Sequence, residues 1–187
     1  MTTVLRLNRA RRAARILRRG GVVAWATETV WGLGADAGNA AAVAHLYALK
    51  NRDTNKNIVH AWGVTPPAPP RRGGVGEIIS PTLLNRGVTV VLSDDMAIRC
   101  PQNALSQKIL RRIAPVALTS ANISGQPPLA TWQEVLKTFG PIADANEIDF
   151  AVVVSRRPRL GVPSTIVKIG ADGKLEILRQ GAQTVDL

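Results

Sequence analysis

Cysteine and histidine are almost absent from this chain. Cys100 is the single cysteine, which excludes an intrachain disulfide and a cysteine-rich zinc site and suits a reducing, cytoplasmic setting. With only His45 and His60 as histidines, a nucleophilic triad or a multi-histidine metal centre lacks members. His45 stands between Ala44 and Leu46 in a helical stretch, an address for packing or surface exposure rather than catalysis. Long hydrophobic runs are missing too: stretches such as Val116 to Leu118 and Phe150 to Val154 are far too short to span a bilayer, so no membrane partner is expected. No glycine-rich run ends in Gly-Lys-Ser/Thr, and Gly32-x-Gly34 lacks the third glycine of a dinucleotide fingerprint.

Acidic residues are scarce, and none precedes Glu28. Lys and Arg number 24 against 13 Asp and Glu, a formal charge of +11 that implies a phosphate-rich partner, nucleotide or nucleic acid. Arg6, Arg9, Arg11, Arg12, Arg15, Arg18 and Arg19 crowd the first twenty residues. Such a start also describes a mitochondrial transit peptide, but this one runs into Gly20-Gly21 and a strand with no serine-rich spacer, which favours a structural helix. The length, 187 residues, suits one domain with a full core.

The apolar and polar spacing predicts a helix over Leu7–Arg19 closed by Gly20-Gly21, then a strand at Val22–Ala26. A second helix capped by Asn39 runs through Leu49, with Ala42, Val43, Leu46 and Leu49 on one face, and delivers Lys50 at its end. A polar loop, 51–57, leads to a short strand at Ile58–Trp62. Four prolines and two arginines in Thr65–Gly76 predict a flexible surface insert. Further strands are expected at Val88–Leu92, Met96–Arg99, Val116–Thr119, Phe150–Val154, Ser164–Ile169 and Lys174–Leu178, with helices at Asn103–Ile113 and Thr131–Phe139. Helices interleave early and strands gather late, as in an α/β mixed sheet with helices packed on it.

Candidate site residues collect at strand ends. The apolar run Gly21–Trp25 empties into Thr27-Glu28-Thr29-Val30-Trp31-Gly32-Leu33-Gly34-Ala35-Asp36, either a ligand-facing strand exit or a turn that needs glycine. Thr119-Ser120-Ala121-Asn122-Ile123-Ser124-Gly125 repeats the device. Lys50 and Arg52, with Lys56 shortly after, can bind phosphates, or can be a basic helix end favoured by the macrodipole. Arg99 ends an apolar strand and needs an anion, whether a ligand or a packed carboxylate. Pro163-Ser164-Thr165 opens one strand and Leu178-Arg179-Gln180-Gly181 closes the last.

In this order the motifs resemble the YrdC/TsaC family of threonylcarbamoyl-adenylate synthases, in its short form, from about Gly20 to Gly181. Ala26 to Gly34 stands for the family's Pro-Thr-Glu-Thr-Val-Tyr-Gly-Leu-Gly, and Lys50-x-Arg52, Thr119 to Gly125, Pro163 to Val167 and Leu178 to Gly181 follow. The resemblance implies a single-domain, twisted mixed sheet flanked by helices around a basic concave cavity. It implies a reaction of L-threonine, bicarbonate and ATP with Mg²⁺, giving threonylcarbamoyl-AMP and pyrophosphate for N6-threonylcarbamoyladenosine at tRNA position 37. By position, Thr29, His60, Arg99, Thr119 and Ser164 would hold threonine; Lys50, Arg52, Lys56, the Ala121 backbone, Asn122 and Arg179 would face ATP. No residue would be catalytic apart from these. Further partners implied are tRNA or double-stranded RNA and downstream threonylcarbamoyl-transferase proteins. The chain departs from the family at Ala26, in Asn55-Lys56-Asn57-Ile58, and at Asn85-Arg86-Gly87-Val88-Thr89 where Pro-Gly-Pro-x-Thr is expected. Two competing readings are a non-catalytic RNA-binding relative and a carbamoyl-transfer domain with another acceptor.

Overall fold

Val22–Ala26 is buried on both sides, as an unbroken apolar run in a central strand should be, and the rest of the architecture is arranged around it. The computed structural model describes residues 1–6, 9–63, 83–84, 86–94, 96–170 and 174–185. Its strands are β1 (Thr2–Leu5), β2 (Val22–Ala26), β3 (Trp31–Asp36), β4 (Val59–Ala61), β5 (Thr89–Ser93), β6 (Met96–Arg99), β7 (Val116–Ser120), β8 (Phe150–Val153), β9 (Ile166–Ile169) and β10 (Leu175–Arg179). They form one sheet in the order β1-β8-β2-β3-β7-β4-β6-β5-β9-β10. Pairing is mixed: β1, β8 and β2 run parallel, β3 is antiparallel to both β2 and β7, and β5 is parallel to β9.

Alternate residues of the central strands enter different cores. Val22, Ala24, Leu33 and Phe150 pack under α2 (Ala40–Lys50) and α4 (Trp132–Ala145). Val23, Trp25, Val116 and Ala151 pack under α1 (Ala10–Arg18) and α3 (Ala104–Leu110) on the opposite face. A third cluster, including Val88, Val90, Ile98 and Val167, fills the β5–β6–β9 half. The site described below lies where the two halves meet.

Helix caps follow local chemistry. The Asn39 side chain accepts from Ala42 N at 3.1 Å, and Asn103 accepts from Ser106 N at 2.8 Å. Thr131 and Glu134 form a capping box at the start of α4.

Three expectations need correction. Thr27 to Asp36 is not one polar exit: residues 27–30 turn, and Trp31–Asp36 is a strand paired with β2 and β7. Gly32 and Gly34 therefore sit mid-strand, and their role is steric. A side chain on Gly34 would run into the Trp25 indole, and one on Gly32 would come within 2.9 Å of Leu118 Cδ1. Helix α4 continues past Phe139 through Gly140 and Pro141 to Ala145, because Val135, Phe139 and Ala143 form one buried stripe that outweighs the hydrogen bond lost at proline. Strand β1 went unforeseen; its partner Phe150–Val153 lies at the far end of the chain. The expected helix start at Leu7 and the insert Thr65–Gly76 lie outside the described residues.

Candidate functional site

The turn after β2 is built around one hydroxyl. Thr27 Oγ1 donates to Val30 O at 2.7 Å and accepts from the amides of Thr29 and Val30 at 3.2 and 3.3 Å. That closed turn points Glu28 and Thr29 at β6, where Arg99 arrives as the last strand residue. Arg99 Nη2 donates to Glu28 Oε1 at 2.6 Å and to Thr29 Oγ1 at 2.8 Å, and Nε donates to Gly87 O at 3.0 Å. The other Glu28 oxygen accepts from the backbone amides of Gln102 and Asn103, at the start of α3. Both members of the ion pair are about nine-tenths buried, so its strength depends on these extra hydrogen bonds. Gly87 makes the arrangement possible: its φ is +74°, and a side chain there would meet Glu28 Oε1 at 2.7 Å. Of the two anions foreseen for Arg99, the structure supplies the packed carboxylate.

Arg99 also borders a cavity of about 200 Å³ at the meeting of the sheet halves. Arg52 and Arg179 border it as well, together with the hydroxyl residues Thr27, Thr89, Thr119, Ser120 and Ser164. No carboxylate is among these lining residues. Arg52 reaches the wall because Asn51, with φ 48°, ends α2 in a left-handed turn; its Nη2 then donates to Asn57 O at 2.9 Å. Arg179 Nη2 donates to Ser164 O at 2.7 Å. Gly181 lets the chain after β10 press against the backbone of Pro163, Ser164 and Thr165, which a side chain would prevent. Burial, and after it the positive charge of Arg99, hold the Arg179 pKa below its ordinary value. Three guanidinium groups bordering one small cavity favour an anion between them.

Lys50 lies underneath rather than on this wall. The residue is 1% exposed, and Nζ donates to Ser120 O, to Asn122 O at 2.8 Å and to Asn122 Oδ1 at 3.1 Å. The ammonium thereby clamps the turn after β7. Burial, with a smaller contribution from the Arg52 charge, lowers its pKa from 10.5 to about 7.

The structure thus brings Arg52, Arg99, Thr119, Ser164 and Arg179 to one cavity, with Thr29 bonded to Arg99 behind it. Lys50 and Asn122 are joined to each other just below Ser120. The Ala121 amide donates to Trp31 O and its carbonyl accepts from Leu129 N, so its backbone already serves the sheet. Lys56 is exposed, with its carbonyl accepting from Tyr47 and Arg52. His60 is half-buried in β4 between Ile98 and Ala117, and its neighbour Val59, not His60, lines the cavity. Glu28 and Ser120 stood inside the two strand-end motifs, and Thr89 at the threonine of the segment 85–89, but none of the three was assigned a role in the site. The Thr89 hydroxyl meets Ser164 Oγ at 2.8 Å, a contact that no local pattern announces. Among the described residues no cluster of three His, Cys, Asp or Glu could hold a metal ion, and no helix is long and apolar enough to cross a membrane.

The family model Sua5/YciO/YrdC, described as telomere recombination, matches residues 15–63 and 81–181. The chain is 34% identical over 194 residues to the threonylcarbamoyl-AMP synthase of Bacillus subtilis, covering 92% of this chain and 53% of that protein. It is 32% identical over 163 residues to the threonylcarbamoyl-AMP synthase of Nitrosococcus oceani, covering 73% of this chain and 83% of that protein. Among solved structures it is similar to P. abyssi Sua5 complexed with L-threonine, with a TM-score of 0.80 at 25% identity, over 97% of this chain and 57% of that one. E. coli YciO, at 14% identity and a TM-score of 0.71, shares the fold. The chain thus spans little more than half the length of the Bacillus and P. abyssi proteins.

Proposed function

Since the chain belongs to the Sua5/YciO/YrdC family, we propose that it joins L-threonine, bicarbonate and ATP into threonylcarbamoyl-AMP, the intermediate for N6-threonylcarbamoyladenosine at tRNA position 37, with pyrophosphate as the leaving group. The observation that carries this reading is the convergence of Arg52, Arg99 and Arg179 with several hydroxyls on one cavity, with no carboxylate among the described residues that line it. Such a wall suits an amino-acid carboxylate and phosphates, both anionic acceptors. The cavity, about 200 Å³, accommodates an amino acid and its carbamate; a nucleoside extends beyond it.

In this reading Arg99, oriented by Glu28 and Thr29, faces the threonine carboxylate, while Thr119 and Ser164 offer hydroxyls to the rest of the amino acid. Arg52 and Arg179 face the phosphates. The threonine amine and bicarbonate give a carbamate with loss of water. A carbamate oxygen then bonds to the α-phosphorus as the bond to pyrophosphate breaks. Negative charge moves onto the departing pyrophosphate, and fixed guanidinium groups stabilise it without a protein nucleophile. Magnesium would enter as part of Mg·ATP, bound to the phosphates; the cavity wall contributes cations and hydroxyls to that substrate rather than a carboxylate cage. Thr29, Lys50 and Asn122 act in this scheme by holding Arg99 and the 120–122 turn in place, whereas Lys56, His60 and Ala121 retain only the expectation taken from the family.

Purified protein incubated with ATP, Mg²⁺, bicarbonate and L-threonine is expected to release pyrophosphate and threonylcarbamoyl-AMP only when threonine is present. Arg52→Ala should abolish product without changing the circular dichroism spectrum. A wild-type protein with no threonine-dependent product would sink the proposal and favour the RNA-binding relative.

A further inference from the structure

Thr27 borders two cavities, the small one described above and a larger, open one of about 970 Å³. No step of the proposed reaction uses the larger. Its rim includes a loop fastened at both ends: Val154 N donates to Leu5 O at 2.7 Å, and Leu160 N donates to Glu28 O at 3.0 Å. Between those points Arg156, Arg157 and Arg159 stand exposed on the cavity border, and Arg86 joins them from the turn ahead of β5. Among the described residues none of the four is in a salt bridge. The one carboxylate on the described lining is Glu28, and both of its oxygens are taken, one by Arg99 and the other by the amides of Gln102 and Asn103. Glu134 feels the Arg157 charge, but its carboxylate already caps the start of α4.

The wall of this cavity also holds an unspent donor. Gln183, one of the lining residues, is 9% exposed; its Oε1 accepts from Thr165 N at 3.0 Å, and Thr165 Oγ1 donates to Gln183 O at 2.5 Å. The first of these bonds fixes which way the amide faces, because exchanging its two ends would set Nε2 against the Thr165 N–H. Nε2 is left with nothing to donate to, and among the described residues it is the one buried side-chain polar atom in that position. A buried donor without an acceptor is costly, so an oxygen brought to it by a ligand gains a full hydrogen bond. Ala26, Leu105, Leu160 and Ala182 add apolar surface to the same cavity. No aromatic ring is among its described lining residues, so an aliphatic body suits it better than a flat heterocycle.

We propose that the larger cavity is a second ligand site, which takes a small organic anion with at least two negative charges on an aliphatic body, a phosphomonoester or a dicarboxylate. The guanidinium groups pair with the anionic oxygens, the Gln183 amide donates to one more oxygen, and the apolar residues cover the body. A bare inorganic ion would leave the apolar wall wet, and a neutral aliphatic molecule would leave the arginines unused. The volume falls within the roughly 300 to 1,000 Å³ usual for small-molecule sites. This site needs nothing from the synthase reaction. It nevertheless adjoins the small cavity through one carboxylate, since Glu28 borders the larger cavity and holds Arg99, which borders the smaller.

The test is calorimetric titration of the full-length protein with hexyl phosphate and with suberate, at a slightly alkaline pH where a phosphomonoester carries two charges. At least one of the two should bind saturably with a Kd below about 10 mM, and the comparison between them tells whether phosphate or carboxylate is preferred. Inorganic phosphate and hexanol should each bind about tenfold more weakly or worse, because each lacks one half of the ligand. Arg156→Gln/Arg159→Gln should weaken the better probe about tenfold or more. Gln183→Glu keeps the acceptor for Thr165 N and puts an oxygen where the free donor was, and it should weaken the probe to a similar extent. Arg52→Ala alters only the small cavity and should leave probe affinity unchanged. Binding of neither probe, equal binding of inorganic phosphate or hexanol, or full affinity in the double arginine variant with a native circular dichroism spectrum would overturn the proposal. Loss of binding in Arg52→Ala would overturn it too, by placing the probe in the small cavity. Probe binding that survives in a protein with no threonine-dependent product would remove the synthase reading and leave this site standing.

Discussion

In the small cavity every arginine is anchored from behind: Arg99 by Glu28, Thr29 and Gly87, Arg179 by Ser164, Arg52 by Asn57. On α1 and α3 the arginines stand in solvent, touching little beyond their own helices. The first arrangement fixes donor positions before a ligand arrives, which small anions and developing charge require. The second gives a diffuse field, weakened by salt and tolerant of an irregular partner. One residue type thus serves two purposes, separated by the number of partners each side chain has within the chain.

Glu28→Gln tests the anchored region most severely. It removes the charge that compensates buried Arg99 and should cost roughly 3 to 5 kcal/mol in urea unfolding. A loss below about 1 kcal/mol would show that Arg99 is not held by its charge partner. Gly34→Ala, which drives a methyl group into the Trp25 indole, should cost about 1 to 3 kcal/mol and leave the cavity residues in place; unchanged stability would contradict the packing between β2 and β3.

A smaller effect is expected from pH. The Lys50 pKa is lowered from 10.5 to about 7, so above pH 7 the unfolded chain retains a proton that the folded chain gives up, and stability should rise with pH. Cys100 opposes this at higher pH, because burial raises its pKa from 9.0 to about 11 and the unfolded chain then ionises first. Urea midpoints should therefore climb from pH 7 to about pH 9 in the wild type and stay flatter in Lys50→Met. Equal slopes in the two proteins would rule out Lys50 as the source. The smallest effect belongs to the solvated face: Arg12→Gln should alter stability by no more than about 0.5 kcal/mol. A larger loss would mean that this arginine is anchored after all.

Much of the site could be read locally. Asn39, Asn103 and Thr131 announced their helices through capping chemistry, and Lys50, Arg52, Thr119, Ser164 and Arg179 stood out because polar groups flanked the ends of apolar helices and strands. Thr89 was visible only as the end of the segment 85–89, since its place in the site depends on a hydroxyl contact with Ser164, 75 residues away. Lys50 was legible as a cation but not as a clamp, because its acceptors belong to Ser120 and Asn122. Gly32 and Gly34 looked like turn residues; their neighbours across the sheet, Leu118 and Trp25, required strand positions instead.

Periodicity, capping and charge act over a few residues, so the linear chain was enough to specify most helices and strands, the basic character of α1 and the family motifs. Strand order, the Glu28–Arg99 pair and the gathering of Arg52, Arg99 and Arg179 around one cavity join segments far apart in the chain. Those features depend on which buried surfaces fit together, a property that no local stretch contains. The stretch from Thr27 to Gly34 holds both kinds of information: its hydroxyls and carboxylate are evident by composition, but only packing against β6 and β7 makes Glu28 a support for Arg99 and the glycines part of a strand.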